Sequence, residues 1–372
     1  MRLLQGNEAV ALAAVKAGCT FYAGYPITPA SEIMEWMARL LPKRGGVFLQ
    51  MEDEIAAIAA SIGAAWGGAK AMTATSGPGF SLMQENLGYA AMTETPLVVV
   101  DSQRAGPSTG LPTLPSQGDV MQAMWGSHGD QPRIVLTASG VLDAYRMTVE
   151  AFNLSERYRL PVVLLLDAVT SHMRENVELP EDLEVVPRSQ PTSLEGFQPF
   201  GGPEFLPLGE GGRFVVTGLA HDETGKVRAT DGAALERLLK NKLARLEQDR
   251  EKITHYRARY LENARTLILA YGITARAALA TVEHLRAEGY PVSFLELLTL
   301  WPFPDHLIRP LAHKVDEILV PELNLGQLAW RIRAAADATP VRSLGRADGM
   351  LFTPEEIATE FKRGEMREVG HA

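Results

Sequence analysis

The chain has 372 residues, of which 46% are hydrophobic and 22% charged, and its formal net charge at pH 7 is −9. This length allows two domains, and the acidic balance argues against a nucleic acid or an anionic membrane as a partner. The single cysteine, Cys19, excludes an intrachain disulfide and any cluster held by several cysteines of this chain. The N-terminus lacks a signal-peptide core and no apolar run could span a bilayer, so we expect a cytoplasmic protein.

The first half of the chain alternates strand-like apolar runs with helix-like runs. Repeated βα units of this length predict a parallel, doubly wound sheet. The predicted strands are residues 20–24, 46–51, 69–75, 96–102, 134–136 and 162–167, and the predicted helices are 7–17, 30–41, 53–66, 81–93 and 142–157.

The second half predicts a smaller α/β domain of the same kind. It contains predicted strands at 267–272, 292–297, 317–322 and 341–344, with helices at 274–288 and 326–336. Residues 177–230 are rich in Gly and Pro and predict an irregular wrapping connection, and 231–262 predict one long amphipathic helix. We therefore divide the chain into a first domain of residues 1–175, a linker of 176–263 and a second domain of 264–372.

Three short segments interrupt this pattern where strands end. They are Gly24-Tyr25-Pro26-Ile27-Thr28-Pro29, Glu54 at the start of an Ala-rich helix, and Thr75-Ser76-Gly77-Pro78-Gly79, which we interpret as a turn. The two prolines of the first segment fix its backbone and exclude a continuing helix. Because open α/β sheets bind ligands at the carboxyl ends of their strands, these segments predict a binding site.

Residues 104–115 form a further segment of interest. Their density of Gly and Pro predicts a long loop, with Arg104 just past the strand that ends at Ser102. A long loop within a compact domain is usually functional.

Several common catalytic motifs are absent from the sequence. It contains no Gly-x-x-x-x-Gly-Lys-Ser/Thr, Gly-x-Gly-x-x-Gly, Cys-x-x-Cys, His-Glu-x-x-His or Gly-x-Ser-x-Gly. Nucleotide hydrolysis, simple dinucleotide redox chemistry, zinc chemistry and α/β-hydrolase chemistry therefore have no motif support.

The segments at 24–29, 54, 75–79 and 102–113 together resemble the alpha subunit of the 2-oxoacid:ferredoxin oxidoreductases. The Gly106-Pro107-Ser108-Thr109-Gly110 loop looks most like the 2-oxoglutarate-type branch of that family. The resemblance covers nearly the whole chain. It implies a pyrimidine-binding thiamine diphosphate domain followed by a domain like the C-terminal domain of transketolase.

The resemblance also implies roles for individual residues. Glu54 would face the aminopyrimidine of thiamine diphosphate as the catalytic carboxylate, whereas the alternative is an ordinary acidic residue favoured by the helix dipole. Further contacts to the cofactor would come from Tyr25, Pro26, Ile27, Ser76, Gly77 and Pro78.

Substrate contacts follow from the same resemblance. Thr28 would touch the carboxylate or carbonyl oxygen of a 2-oxoacid, unless its hydroxyl only stabilises the turn. Arg104 would pair with the 2-oxoacid carboxylate, unless it is a solvated loop arginine. Ser108 and Thr109 would bind the distal carboxylate of a dicarboxylic substrate. We leave the lone loop histidine His128 out of the catalytic set.

Two expected parts of such an enzyme are missing from the sequence. No Gly-Asp-Gly segment for the divalent metal and no cysteines for an iron–sulfur cluster are present. The resemblance therefore implies a beta subunit that carries the diphosphate and Mg²⁺ site and the cluster, in an alpha–beta heterodimer or a dimer of such pairs. The assembly would convert a 2-oxoacid, coenzyme A and oxidised ferredoxin into acyl-CoA, CO₂ and reduced ferredoxin. The alternatives are a non-catalytic scaffold or regulatory subunit and a subunit of a non-redox thiamine diphosphate decarboxylase.

Overall fold

A computed structural model describes residues 1–369, and its elements alternate as βα units through most of that range. In the first half the strands are β1 Arg2–Gln5, β2 Phe21–Gly24, β3 Val47–Gln50, β4 Ala71–Thr75, β5 Leu97–Ala105, β6 Leu111–Pro115, β7 Ile134–Thr137, β8 Pro161–Asp167 and β9 Arg174–Val177. The helices there are α1 Gly6–Lys16, α2 Ser31–Leu40, α3 Glu54–Trp66, α4 Gly77–Met92, α5 Val120–Trp125, α6 Val141–Tyr158 and α7 Ala168–His172, with a short 3₁₀ turn at Pro42–Arg44.

The second half begins after a connection without regular elements. Its strands are β10 Tyr256–Arg259, β11 Thr266–Ala270, β12 Val292–Leu297, β13 Thr299–Trp301, β14 Glu317–Glu322 and β15 Val341–Gly345. Its helices are α8 Gly232–Gln248, α9 Arg250–Ile253, α10 Thr274–Ala287, α11 Asp305–Ala312, α12 Gln327–Ala335 and α13 Pro354–Val369. No helix in the described part of the chain has both the length and the apolar character needed to cross a membrane.

The larger sheet has the strand order β13-β7-β8-β5-β4-β2-β3, with β6 paired to β5. Its six strands from β7 to β3 are parallel, whereas β13 and β6 are antiparallel additions. Strand β5 lies in the middle and all nine of its residues are buried, because helices cover both faces of a doubly wound sheet. The predicted fold class is confirmed.

The smaller sheet has the order β10-β12-β11-β14-β15, parallel except for β10. One hydrophobic cluster contains Phe80 and Val99 from the first half together with Leu269 and Phe303 from the second. The two sheets therefore share part of their core, and the smaller one is held in place against the larger.

A buried polar network also joins the two halves. The Gln117 side chain donates to the Tyr271 carbonyl at 2.8 Å, and its oxygen accepts from the Leu323 amide at 2.9 Å and from the Thr274 hydroxyl at 3.2 Å. The Asn324 amide donates to the Gln117 carbonyl at 2.7 Å. Because buried amides with several satisfied bonds have one favoured geometry, this network fixes the residues before α5 against the second half.

Four predictions about the elements are wrong. The predicted turn at Gly77-Pro78-Gly79 is the first turn of α4, where proline is favoured because its missing N–H is not needed. Arg104 lies within β5 and not past it, and the predicted 104–115 loop contains β6, which pairs with β5.

The predicted long helix at 231–262 also ends early, at Gln248. Residues 256–259 instead pair with β12 as an edge strand of the smaller sheet. Tertiary pairing overrides helix propensity here. The sequence reading also missed β1, β13, α11 and α13, of which β13 pairs with β7 of the larger sheet.

Candidate functional site

A cavity of about 560 Å³ lies at the carboxyl ends of β4 and β5, between the two halves of the chain. The first half contributes the N-terminus of α4, the end of β5 and the loop before α5. The second half contributes the start of α12. The lining includes Gly77, Pro78, Arg104, Ser108 and Asp119 from the first half, with Asn324 and Gln327 from the second.

Glu54 lies at the start of α3, and its side chain is only 4% exposed. The preceding Asp53 caps the helix by accepting from the Ala56 amide at 2.7 Å. A Cβ atom at Gly79 would lie 2.3 Å from Glu54 Oε1 and 2.2 Å from Thr75 Oγ1. The Glu54 carboxyl thus fits against the start of α4 only because residue 79 has no side chain.

The environment of Glu54 shifts its protonation equilibrium. Burial raises the pKa of the Glu54 carboxyl above its ordinary value, and the charge of Asp53 raises it further. The nearby Arg104 charge and the backbone N–H of Glu54 oppose this shift. A buried carboxyl with a raised pKa is suited to sharing a proton with a ring nitrogen of a bound ligand.

Three hydroxyl groups on β4 and at the start of α4 are buried without a hydrogen-bond partner. They are Thr73 Oγ1 and Thr75 Oγ1 on β4 and Ser76 Oγ at the N-terminus of α4. Buried polar atoms are normally paired, so such a group of unpaired hydroxyls is a place where a ligand can form hydrogen bonds. Glu54 and these hydroxyls therefore offer a ligand a proton-exchanging carboxyl and several unpaired hydrogen-bonding groups.

Arg104 connects the cavity with the segment at 24–29. Its side chain is 8% exposed, and Nη1 donates to the Thr28 carbonyl at 2.8 Å. Its Nε is buried and has no acceptor. The guanidinium is therefore a nearly buried cation with unused donors beside a cavity, which suits binding of a carboxylate.

The other predicted site residues are more exposed. Pro26, Thr28, Ser108 and Thr109 are exposed, Ile27 is half-buried and Tyr25 is 39% exposed. Of these only Ser108 lines the cavity, and Thr28 meets Arg104 through its carbonyl and not its hydroxyl. The structure brings Glu54, Arg104, Thr28 and the start of α4 together, and leaves Tyr25 and Thr109 at the surface.

Sequence reasoning missed several residues of the site. Gly79 was not assigned a role, Asp101 is a fully buried carboxyl on β5, and Asp119 lines the cavity. Asp101 directly follows three valines in a strand whose composition predicts burial. Because a buried aspartate is rare, its position in this strand could have indicated a functional residue. Asn324 and Gln327 come from the distant second half, and no local pattern indicates them.

No group of three or more His, Cys, Asp or Glu residues able to hold a metal ion occurs among residues 1–369.

Two family models match the chain. The model described as "Pyruvate flavodoxin/ferredoxin oxidoreductase, thiamine diP-bdg" matches residues 12–237, and "Pyruvate:ferredoxin oxidoreductase core domain II" matches residues 264–357.

Individual relatives match over nearly their whole length. The chain is 48% identical to 2-oxoglutarate synthase subunit KorA of Methanothermobacter marburgensis over 361 residues, which cover 95% of this chain and 96% of the relative. It is 45% identical to the protein of the same name from Archaeoglobus fulgidus, with 98% and 99% covered. Identity falls to 37% for ketoisovalerate oxidoreductase subunit VorB of Methanothermobacter thermautotrophicus, with 97% of both chains covered.

The structure is also similar to a solved structure described as 2-oxoglutarate:ferredoxin oxidoreductase from Magnetococcus marinus with 2-oxoglutarate, coenzyme A and succinyl-CoA bound. The TM-score is 0.94 at 36% sequence identity, and the match covers 97% of this chain and 65% of the other. A split-gene transketolase shares the fold with a TM-score of 0.57 at 13% identity, with 97% of both chains covered.

Proposed function

The chain belongs to the pyruvate flavodoxin/ferredoxin oxidoreductase family, and on that premise we propose that it is the alpha subunit of a 2-oxoglutarate:ferredoxin oxidoreductase. The proposed reaction converts 2-oxoglutarate, coenzyme A and oxidised ferredoxin into succinyl-CoA, CO₂ and reduced ferredoxin. The observation that carries the proposal is the Glu54 carboxyl, buried against the side-chain-free Gly79 beside an arginine-lined cavity. The higher identity to 2-oxoglutarate synthase than to ketoisovalerate oxidoreductase subunits supports the choice of substrate.

The residues around Glu54 fit thiamine diphosphate. When bound, this cofactor supplies a nucleophilic carbon and an electron sink at the substrate carbonyl. We propose that Glu54 shares a proton with the pyrimidine ring nitrogen, and that Tyr25, Pro26, Ile27, Ser76, Gly77 and Pro78 enclose the ring. The raised pKa of Glu54 supports this role, because the carboxyl then keeps its proton up to a pH closer to neutral.

The proposed substrate contacts centre on Arg104. Its free donors would bind the carboxylate next to the 2-oxo group, and its bond to the Thr28 carbonyl fixes the direction of the guanidinium. Thr28 would contact the substrate carboxylate or carbonyl through its exposed hydroxyl. Ser108 and Thr109 would donate to the distal carboxylate, and the position of Ser108 on the cavity wall supports this.

The rest of the enzyme would come from a beta subunit. We propose that this partner carries Mg²⁺ at the cofactor diphosphate, because this chain has no Gly-Asp-Gly segment. We propose that it also carries the iron–sulfur cluster that passes electrons to ferredoxin, because this chain has one cysteine. The exposure of Tyr25, Pro26 and Thr28 supports a site whose open side is covered by another chain. We propose an alpha–beta heterodimer, or a dimer of such pairs, in the cytoplasm.

The proposal is tested by producing this chain together with the beta subunit and assaying dye reduction with 2-oxoglutarate, 2-oxoisovalerate and pyruvate. We expect reduction that requires coenzyme A and thiamine diphosphate and is fastest with 2-oxoglutarate. An intact complex without turnover on any 2-oxoacid would favour the scaffold alternative. Release of CO₂ without dye reduction would favour a non-redox decarboxylase.

Replacing Arg104 should weaken substrate binding more than turnover. We expect Arg104→Ala to raise the KM for 2-oxoglutarate by about 10–100-fold, because charge-assisted bonds to a buried guanidinium contribute about 1.5–3 kcal/mol. Arg104→Lys should recover part of the loss but not all, since an ammonium group lacks the planar fork. The exposed Arg44→Ala is the matched control and should leave the KM unchanged. An unchanged KM in Arg104→Ala would remove Arg104 from the substrate site.

A further inference from the structure

The Thr28–Pro29 unit beside Arg104 depends on side-chain donors from other elements. It lies between β2 and α2, and the prolines at positions 26 and 29 have no N–H group to donate. Its carbonyl groups therefore carry much of the anchoring. The Thr28 carbonyl accepts from Arg104 Nη1 at 2.8 Å, and the next carbonyl, that of Pro29, accepts from Asn7 Nδ2 at 2.8 Å.

Asn7 is the second residue of α1, and its side chain is fully buried. Close packing fixes the start of this helix, because a Cβ atom at the neighbouring Gly6 would lie 1.9 Å from the Thr170 carbonyl oxygen. The Gly6 amide also donates to the Met173 carbonyl at 3.2 Å. The backbone that carries the Asn7 side chain therefore has little freedom to move.

The partners of the Asn7 amide determine its orientation. Besides the Pro29 carbonyl, Nδ2 donates to Glu32 Oε2 at 3.0 Å, in the first turn of α2. A carbonyl and an ionised carboxylate can only accept, so the nitrogen and not the oxygen of the amide faces them. Both N–H groups of Asn7 are thus used, and they connect α1 with the Thr28–Pro29 unit and with α2.

The other half of the Asn7 amide has no partner. Its Oδ1 atom is buried and accepts no hydrogen bond within the described residues. Because a buried polar atom without a partner costs free energy, an apolar side chain of similar shape would avoid this cost. Stability of the fold alone therefore does not account for an asparagine here. What distinguishes Asn7 from such a side chain is its donation to Pro29 and Glu32.

Arg104 has few other anchors than this unit. The Thr28 carbonyl is the acceptor found for its guanidinium within the described residues, and its buried Nε has none. A rotation of the Thr28–Pro29 unit would move the Thr28 carbonyl and change the direction of the guanidinium. The Asn7 bond to the next carbonyl opposes this rotation, because the unit is then bound from α1 as well as from β5.

We infer that Asn7 is a positioning residue, whose bond to the Pro29 carbonyl holds the Thr28–Pro29 unit so that the Thr28 carbonyl directs Arg104 toward the 2-oxoacid carboxylate. Asn7 acts on the substrate only through Arg104. This effect on substrate binding rests on the proposed function, whereas the anchoring of the unit by Asn7 does not.

The anchoring is tested by hydrogen–deuterium exchange in the purified complex with the beta subunit. The test variant is Asn7→Leu, which keeps the approximate size of the side chain and removes its donors. The Ala30 amide donates to the Ile27 carbonyl at 2.9 Å and reports on the segment. We expect a peptide that contains Ala30 to exchange about tenfold faster in the variant, and peptides from β8 to exchange as in the wild type.

Asn7→Ala, which is too small to overpack the site, is measured alongside and should show the same faster exchange at Ala30. Unchanged exchange at Ala30 in these variants would overturn the inference, whether or not the complex reduces a dye with 2-oxoglutarate.

Kinetics test the effect on Arg104. We expect Asn7→Leu to raise the KM for 2-oxoglutarate about tenfold, while the KM for coenzyme A stays within about twofold of the wild type. In the Arg104→Ala background the same substitution should raise the KM for 2-oxoglutarate by less than about twofold, because no guanidinium is left to direct. An unchanged KM in Asn7→Leu would overturn the inference, as would rises that are additive with Arg104→Ala.

Two controls separate this role from a general loss of stability. Glu32→Ala removes the other acceptor of Asn7 Nδ2 and keeps the bond to Pro29, so the KM for 2-oxoglutarate should stay within about twofold of the wild type. Asn241→Leu makes the same change at an exposed position of α8 and should alter neither constant.

The outcomes distinguish the inference from the proposed function. A KM rise in Glu32→Ala equal to that in Asn7→Leu would indicate a merely structural role and overturn the inference. A wild-type complex without any 2-oxoacid turnover would count against the proposed function and leave the exchange result to decide on the anchoring by Asn7.

Discussion

Glu54→Gln is expected to lower turnover by at least about 10³-fold, equivalent to about 4 kcal/mol of lost transition-state stabilisation. The amide has nearly the same shape as the carboxyl and fits the same space against Gly79, but it cannot give a proton to a ring nitrogen or take one back. We expect the complex with the beta subunit to remain intact. The measurement is the rate of coenzyme A-dependent dye reduction with saturating 2-oxoglutarate and thiamine diphosphate.

The stability of this variant has a predictable pH dependence. Because burial raises the folded-state pKa of Glu54, the folded chain retains a proton that the unfolded chain loses as pH rises. The carboxyl therefore lowers stability at pH values above its unfolded pKa, and the penalty is absent at more acidic pH. Thermal denaturation should show that Glu54→Gln gains stability over the wild type at pH 8 and not at pH 4.

A neighbouring glutamate provides the control for Glu54→Gln. Glu52 lies two residues earlier and is exposed, so Glu52→Gln makes the same chemical change outside the site. It should keep wild-type turnover. Full activity in Glu54→Gln would contradict both the cofactor assignment and the role of the buried carboxyl.

Most helices and strands could be predicted, because the sequence patterns that indicate them lie within the elements themselves. Strands such as Pro161–Asp167 are apolar runs buried on both faces, and the helices between them have clear starts and stops. The errors lie where distant partners decide the structure. Tyr256–Arg259 is a strand because β12 is beside it, and β13 exists because β7 offers an open edge.

The location of the candidate site was predictable to a similar extent, whereas the roles of its residues stay predictions. Glu54, Thr28 and Arg104 were identified through short motifs near strand ends, and the structure brings their segments together at one sheet edge. The contributions of Asn324 and Gln327 to the cavity lining depend on how the second half packs on the first. That packing results from a shared core and has no short sequence pattern.

Gly79→Ala is expected to lower turnover by at least about 100-fold, or about 3 kcal/mol, although it removes no functional group. The new Cβ would lie 2.3 Å from Glu54 Oε1 and 2.2 Å from Thr75 Oγ1, distances that force the carboxyl or the start of α4 to move. A displaced carboxyl would no longer meet the pyrimidine ring nitrogen as we propose for Glu54. Calorimetric titration with thiamine diphosphate should show weaker binding alongside the loss of turnover.

The control for this steric argument is Gly63→Ala, in the same helix as Glu54. A Cβ at Gly63 meets no atom within 4 Å, and the position is exposed. Alanine there should raise stability by about 0.5–1 kcal/mol through helix propensity and leave turnover unchanged. Since Gly79→Ala acts through Glu54, the double variant with Glu54→Gln should be no slower than Glu54→Gln alone. Additive losses would instead place the effect of Gly79 elsewhere in the site.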